Sequence, residues 1–220
     1  LAVNMGLGLT ATSVIMGAVL LVALFLQFRQ KRYVPWSYWL AVVLISVVGT
    51  LVTDNMVDNF GIQLTTSTIF FTIALIATFA AWYASERTLS IHTVFTNRRE
   101  AFYWLAILFT FALGTAAGDL VSEQFGLGYL NTGILFGMII ASLTFGYFYL
   151  DLDPVLAFWL AYIFTRPLGA SLGDFLSQPH EYGGMNLGTT LTSMIFLGLI
   201  AVTVVYMTFS HDGDEVLADR

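Results

Sequence analysis

Residues 38–54 read YWLAVVLISVVGTLVTD, and the pattern returns as YWLAILFTFALGTAAGD in residues 103–119 and as FWLAYIFTRPLGASLGD in residues 158–174. Each copy begins with an aromatic residue and Trp-Leu-Ala, has a Gly eight residues after the Ala, and ends five residues later on an Asp. The residues between these landmarks are mostly apolar. The block therefore predicts three equivalent membrane helices, each ending on a carboxylate at the margin of the hydrocarbon layer.

The composition is that of a membrane protein. The chain has 220 residues, of which 58% are hydrophobic and 10% charged, and its mean hydropathy is +0.81; soluble domains carry about 25% charged residues. Stretches near the ~20 residues that span a bilayer must be helical, because lipid offers the backbone no hydrogen-bond partner. We predict an all-α integral membrane protein with seven transmembrane helices. They are placed at residues 8–28, 36–54, 64–84, 101–120, 130–149, 155–175 and 187–209.

The repeat continues beyond the Asp block into a turn and a helix headed by Ser and Thr. GIQLTTSTI begins at Gly61, GLGYLNTGI at Gly126 and GLGLTATSV at Gly6, and residues 187–194 (LGTTLTSM) follow the same pattern. The unit is therefore a helical hairpin, and successive units share one orientation as parallel repeats. We predict one membrane domain with internal repeats and a short tail. Its divisions are a partial repeat at 1–35, repeats at 36–100, 101–154 and 155–210, and a flexible cytoplasmic tail at 211–220.

The first Ser/Thr-headed helix, which follows Gly6, has no Asp-ended helix before it in this chain. We therefore expect the full-length protein to contain eight helices in four repeats, with a fourth Asp. The alternative is a seven-span protein with a degenerate start.

Two basic clusters predict the orientation in the membrane. One contains Arg29, Lys31 and Arg32, and the other contains Arg87 and the pair at 98–99. Because Lys and Arg favour cytoplasmic connections, both clusters are expected inside and the Asp-bearing ends outside. We expect a multi-pass membrane protein with a cytoplasmic C-terminus.

Asp54, Asp119 and Asp174 are the first candidates for an ion pathway, since an ionisable group at the edge of the hydrocarbon layer is costly. The alternative is that each carboxylate caps an outer turn by accepting hydrogen bonds from nearby amides. Thr12 and Thr192, at the heads of helices on the same outer level, are further pathway candidates. For these hydroxyls, capping of helix N-termini is the competing interpretation.

Arg166 is the only cationic residue within a predicted span, about eleven residues into the sixth. An arginine at that depth costs roughly 2.5–3.5 kcal/mol on insertion scales, so it should face the bundle interior and a partner. Eight residues of helix, about 12 Å of rise, separate it from Asp174. We therefore expect its partner to be Asp119 or Asp54, either as a structural ion pair or as a counter-ion, gate or anion ligand.

Two further sets of residues are assigned structural roles. Glycines at a spacing of four let helices approach closely in lipid, and they predict helix packing at Gly49, Gly114, Gly118, Gly169 and Gly173. The aromatic residues that open each block are interpreted as anchors at the membrane interface. These are Tyr38, Trp39, Tyr103, Trp104 and Trp159.

Three segments carry a family resemblance: GTAAGDL at 114–120, TRPLGASLGDFLSQP at 165–179, and RREAFYWLAILFTFALGTAAGDL at 98–120. They resemble a bacterial family of uncharacterised membrane-anchored proteins built from repeats of unknown function. The resemblance covers essentially all of residues 1–210. It implies a longer N-terminus with one more helix and a place in the bacterial cytoplasmic (inner) membrane, and it implies no particular activity.

Three classes of function compete. We favour a transporter or channel for a small cation, or one coupled to protons, and the alternative is a non-transporting structural or accessory membrane subunit. An intramembrane aspartyl protease is disfavoured, because Ala-Ala-Gly-Asp and Ser-Leu-Gly-Asp stand where Gly-x-Gly-Asp is usual. We thus expect no enzymatic activity.

Cofactors and partners follow from the same residues. The single lysine, Lys31, lies in a predicted loop, so no retinal Schiff base can form within the bundle. Cysteine is absent and the three histidines are scattered outside the spans, so we expect no cofactor and no metal site. The expected partners are the lipid bilayer and a small cation or proton, without nucleic acid; the oligomeric state is left open.

Overall fold

The structure, a computed structural model, describes residues 6, 8–30, 33–94 and 96–218, with side chains as far as Ser210. Within these residues it contains seven helices long and apolar enough to cross a membrane, which confirms the predicted all-α fold class. The predicted flexible tail at 211–220 lies outside the residues whose side chains are described and stays a prediction. The α-helices are α1 (Gly8–Phe28), α2 (Pro35–Asp54), α3 (Leu64–Glu86), α4 (Asn97–Asp119), α5 (Tyr129–Tyr149), α6 (Pro154–Ser177) and α7 (Thr189–Ala218).

The turns before the odd-numbered helices share one backbone conformation, which explains the glycine of the repeat. The first residue of the Ser/Thr-headed pattern has a positive φ in all four copies: 66° at Gly6, 64° at Gly61, 71° at Gly126 and 59° at Asn186. A left-handed conformation costs glycine nothing, and asparagine tolerates it better than most residues. Asn186 therefore fills the place of glycine in the last copy without changing the turn.

The even-numbered helices form the centre of the bundle. α4 packs against both α2 and α6, and each of these inner helices also carries an outer one: α1 lies on α2, α3 on α4, and α5 on α6. Each of these outer helices thus packs chiefly on the even-numbered helix that follows it in the chain. α7 contacts α2 and α6. The three copies of the Asp-ended block consequently lie side by side, and their carboxylates meet at one end of the bundle, which we call the acidic end.

At the opposite, basic end the inner helices and α3 pack through aromatic side chains. We call this set the aromatic layer (Tyr38, Trp82, Tyr103, Trp104 and Trp159). The rings contact one another, and the hydroxyls of Tyr38 and Tyr103 share a hydrogen bond of 2.5 Å. Trp104 donates its indole N–H to Glu100 Oε1 (3.1 Å). Trp104 is only 4% exposed and Tyr103 8%, so their interpretation as interface anchors is wrong.

Trp159 likewise lies inside the bundle. It is 4% exposed, and its indole N–H donates to the Leu89 carbonyl over 2.9 Å. Because these indole N–H groups find protein acceptors, the rings can be buried without losing their hydrogen bonds. The block's aromatic start therefore packs the repeats together and closes the basic end of the bundle.

Glycines set the distances between the inner helices. A Cβ added at Gly49 would lie 2.9 Å from Phe111 Cβ and 3.1 Å from the Ala112 backbone nitrogen, so α2 and α4 touch there. One added at Gly114 would collide with the Cβ and Cγ of Arg166, so α4 and α6 touch at that level. Gly118 faces Pro167 at ordinary van der Waals distance. These three glycines lie at helix contacts, as the spacing predicts.

Gly169 and Gly173 of α6 differ from the predicted packing role. A Cβ added at either position would meet no atom within 4 Å. Both glycines border a cavity at the acidic end instead. Their small size leaves open space there, and it does not bring two helices together.

This contrast gives a matched test at equivalent positions of two repeats. We expect Gly114→Ala to lower stability, because the new methyl would lie 2.5 Å from Arg166 Cβ and overpacking costs ~1–3 kcal/mol. Gly169→Ala meets open space and replaces a helical glycine, so we expect no loss and a gain of up to ~1 kcal/mol. Thermal unfolding of both variants in detergent measures the difference. Equal melting temperatures would contradict the close contact between α4 and α6.

Candidate functional site at the acidic end

A polar cavity of about 530 Å³ lies between α2, α4 and α6 at the acidic end. All three repeat carboxylates, Asp54, Asp119 and Asp174, border it, and Arg166 borders it from the middle of α6. The sequence predicted these four residues as candidates, and the fold brings them to one place. The three carboxylates meet because each inner helix carries its Asp at the same register and the three helices are neighbours.

The three carboxylates have no polar partner among the described residues. In the described part of the chain, none of Asp54, Asp119 or Asp174 accepts a side-chain hydrogen bond or forms an ion pair within 4.0 Å. The π-helical turns that follow Asp54 and Asp119 have no side-chain cap. All three side chains are half-buried. The capping interpretation therefore finds no contact in this structure, and the carboxylate oxygens are available to a ligand in the cavity.

Two π-helical turns add two more acids to the three repeat carboxylates that border the cavity. Asn55–Asn59 follows α2 and Leu120–Gln124 follows α4, closed by bonds from Phe60 N to Asn55 O (3.1 Å) and from Phe125 N to Leu120 O (2.9 Å). π-turns are rare and occur frequently at functional sites. Each begins directly after a repeat Asp and extends the helix by one wider turn. α6 has no such turn and ends with the Gln178 amide bonded to the Asp174 carbonyl.

The acids in these turns are Asp58 and Glu123, and both border the cavity. Each stands four residues after its repeat Asp, at a position that Gln178 occupies in the third copy. Sequence reasoning placed them only in the outer connections. A signal in the sequence could have found them: in two copies the repeat Asp is followed four residues later by a second acid.

Arg166 has hydroxyl partners and no carboxylate partner. Its Nη2 donates to Thr50 Oγ1 of α2 over 2.6 Å and lies 3.5 Å from Thr115 Oγ1 of α4. The guanidinium carbon stands 4.8 Å from the centre of the Phe111 ring, in the range of a cation–π contact. The expectation that the partner comes from another helix is met, but the partner is not Asp119 or Asp54. Within the described residues no carboxylate oxygen lies within 4.0 Å of Arg166.

Part of the guanidinium remains unsatisfied. Arg166 Nε is buried and has no hydrogen-bond partner among the described groups. A buried charge with an unused donor is costly. The positive charge is thus held at the floor of the cavity by two hydroxyls and a ring, while the acids that could neutralise it line the walls above.

Thr50 and Thr115 were not among the candidates, although the repeat marks them. Both directly follow the repeat glycine, and their hydroxyls lie 3.3 Å apart across the contact between α2 and α4. Ala170 stands at the same position in the third copy, on the helix that supplies Arg166. Two repeats therefore contribute the hydroxyls and the third contributes the charge that they bind.

Thr12 and Thr192 do not border the cavity. Thr12 is 4% exposed, and its hydroxyl donates to the Gly8 carbonyl one turn earlier in α1 (2.8 Å). Thr192 is 5% exposed, with its Oγ1 buried and without a hydrogen-bond partner among the described residues. Thr12 lies in α1 and Thr192 in α7. The hydroxyls that border the cavity come from α2 and α4 instead.

The electrostatics of the cavity favour cations. Five carboxylates and one guanidinium border it, and a cleft lined by one sign of charge concentrates counter-ions of the opposite sign. In the described part of the chain the acids do not form a cluster of three that could hold a metal ion. Each carboxylate instead offers its own oxygen ligands to a cation or accepts a proton.

The fold and the cavity define a polytopic membrane protein made of internal helical repeats. The chain belongs to the family described as Repeat of Unknown Function (DUF347), whose model matches residues 37–88, 102–151 and 157–212. Each match begins near the start of an even-numbered helix and extends into the odd-numbered helix after it; the third ends at residue 212, within α7. No curated protein and no solved structure gave a significant match.

The natural absence of cysteine allows a direct test of the cavity. We expect Asp119→Cys to react readily with a hydrophilic maleimide in lipid nanodiscs, because position 119 borders an open, polar space. Thr110→Cys is the control, since Thr110 lies on the same helix and is 0% exposed. Labelling rates followed by mass spectrometry measure the difference. Equal rates at the two positions would show that the cavity is not open to water.

Proposed function

We propose that this protein is a transporter or channel for a small cation, or for a cation coupled to protons, in the bacterial cytoplasmic membrane. The observation that carries the proposal is the set of three repeat carboxylates that accept no hydrogen bond from the described protein groups. They share one cavity with a buried arginine. Charges left unpaired near hydrocarbon are costly, and their presence at three equivalent positions is explained by a ligand that they bind.

The acidic end serves as the entrance in this proposal. By the bias of Lys and Arg toward the cytoplasm, the basic connections lie inside, the acidic end faces outward and the C-terminus is cytoplasmic. A cation drawn to the mouth meets Asp58 and Glu123 first and the three repeat acids deeper in the helical ends. Carboxylates of this kind replace part of the water that an ion loses on entry.

Arg166 serves as the barrier at the floor of the cavity. Its positive charge repels a cation that has reached the repeat acids, and the aromatic layer closes the bundle beyond it. Passage then requires the guanidinium to leave Thr50 and Thr115. A carboxylate freed by departure of the cation is a stronger acceptor than a hydroxyl, because charged pairs form the stronger hydrogen bonds. Exchange of Arg166 between hydroxyls and carboxylates would thus couple its position to cation occupancy.

The proposal assigns no enzymatic step to these residues. The second candidate, a structural or accessory membrane subunit, makes an opposite prediction for the acids. If they only support the bundle, their removal lowers stability and there is no flux to lose. If they bind a substrate, their removal abolishes flux and leaves the fold intact.

Flux in proteoliposomes separates the two candidates. We expect the wild-type protein to carry a selective flux of protons or of one cation from a panel, and Asp119→Asn to reduce it about tenfold or more. Arg166→Gln removes the positive barrier at the floor of the cavity, so we expect it to raise the flux and to lower its selectivity. A tenfold change corresponds to ~1.4 kcal/mol, which is within the range of one charge–charge interaction near a protein surface. Ion-sensitive dyes in the vesicle lumen provide the measurement.

Asp151→Asn is the matched control, because Asp151 is exposed in the turn at the basic end. Its φ of 53° suits asparagine, so the substitution should not strain the backbone. We expect the control to retain full flux. We expect Asp119→Asn to melt no lower than wild type, because the Asp119 carboxylate accepts no hydrogen bond from the described residues. Absence of any flux in wild type, together with earlier melting of Asp119→Asn, would contradict transport and favour the accessory subunit.

A further inference from the structure

A second cavity, of about 650 Å³, lies toward the basic end on the outside of the inner bundle. It is a groove between α3 and α6, both of which pack on α4 without packing closely on each other. The buried side chains of Leu75 and Trp159 border it, together with Leu113 of α4. More exposed apolar side chains, such as Ile76 and Leu156, also border it. The groove is therefore apolar and open to the hydrocarbon of the membrane.

The length of the groove suits one acyl chain in one leaflet. Along α3 it reaches from Thr72 to Arg87, which is about 22 Å at ~1.5 Å of rise per residue. Half of a bilayer's hydrocarbon core is about 15 Å thick. A chain that entered at the level of Arg87 would therefore reach the middle of the bilayer within the groove.

The mouth of the groove carries two opposite charges on different helices. Arg87 follows the last residue of α3, and Asp153 precedes α6. In the described part of the chain no carboxylate lies within 4.0 Å of Arg87. Asp153 Oδ1 accepts a hydrogen bond from the Leu156 amide over 2.9 Å as the helix cap. Its other carboxylate oxygen accepts no hydrogen bond from the described residues. Both residues are exposed and lie at the ends of membrane-spanning helices.

We propose that this groove binds a phospholipid whose headgroup carries both a phosphate and an ammonium group. One acyl chain lies in the groove, the phosphate pairs with Arg87, and the ammonium pairs with Asp153. Charge complementarity selects this headgroup over a purely anionic one, because Asp153 would repel a headgroup that carries only negative charge. The site is separate from the acidic cavity, and the proposal does not depend on transport.

Native mass spectrometry of the whole chain, released from detergent, tests this binding. The probes are phosphatidylethanolamine and phosphatidylglycerol with identical acyl chains. We expect one molecule of the ethanolamine lipid to be retained more tightly than the glycerol lipid. Arg87→Gln and Asp153→Asn should each weaken its retention about two- to five-fold, the effect of losing one exposed ion pair. Asparagine is as good a helix cap as aspartate, so α6 should remain capped.

Two further variants make the result specific. Leu156→Trp should fill the groove and displace the lipid, whereas Arg29→Gln, which removes an arginine that stacks on Phe25, should leave the preference unchanged. Melting temperatures of all variants show whether each remains folded. Equal retention of the two lipids by wild type would overturn the proposal. So would a loss that depends on Arg87 while Asp153→Asn has no effect, because the ammonium would then have no role.

Discussion

Burial of one guanidinium is the constraint on which the inner bundle depends. Arg166 stands in the middle of α6, and its aliphatic stem fits against α4 only because Gly114 has no side chain. Its head then reaches the hydroxyls of Thr50 and Thr115, on two other helices, and the face of one phenylalanine ring. Three helices are thus held around a single charge. Because each of them ends on an Asp at the same register, this arrangement also determines that three carboxylates surround one cavity.

The repeats are equivalent in fold and unequal in chemistry. The first two copies supply a threonine after the repeat glycine and a π-helical turn with a second acid, Asp58 or Glu123. The third copy supplies Arg166 and the two glycines that leave the cavity open. Duplication provides three carboxylates at one level, and divergence of one copy provides the opposite charge beneath them. A site of mixed charge on the bundle axis follows from this asymmetry.

The two ends of the bundle offer different surfaces to different molecules. The acidic end presents an open polar cavity between the inner helices. Toward the basic end, the aromatic layer fills the space between those helices. The apolar groove lies outside this layer, where α3 and α6 flank α4. The charged residues at its mouth belong to the helix ends near the basic connections. An aqueous solute and a membrane lipid would therefore reach the protein at separate places, with buried aromatic packing between them.

The sequence by itself determined the helices, the repeat and the common level of Asp54, Asp119 and Asp174. Hydropathy, length and register are local properties of the chain. It also predicted an interior Arg166 with a partner on another helix. Only the tertiary structure decided that this partner is a pair of hydroxyls, that the block's aromatic residues Trp104 and Trp159 face inward, and that Thr12 and Thr192 lie away from the cavity. The physical reason is that these helices are apolar on nearly every side. Hydrophobic periodicity therefore does not show which side faces the bundle, and packing between helices decides it.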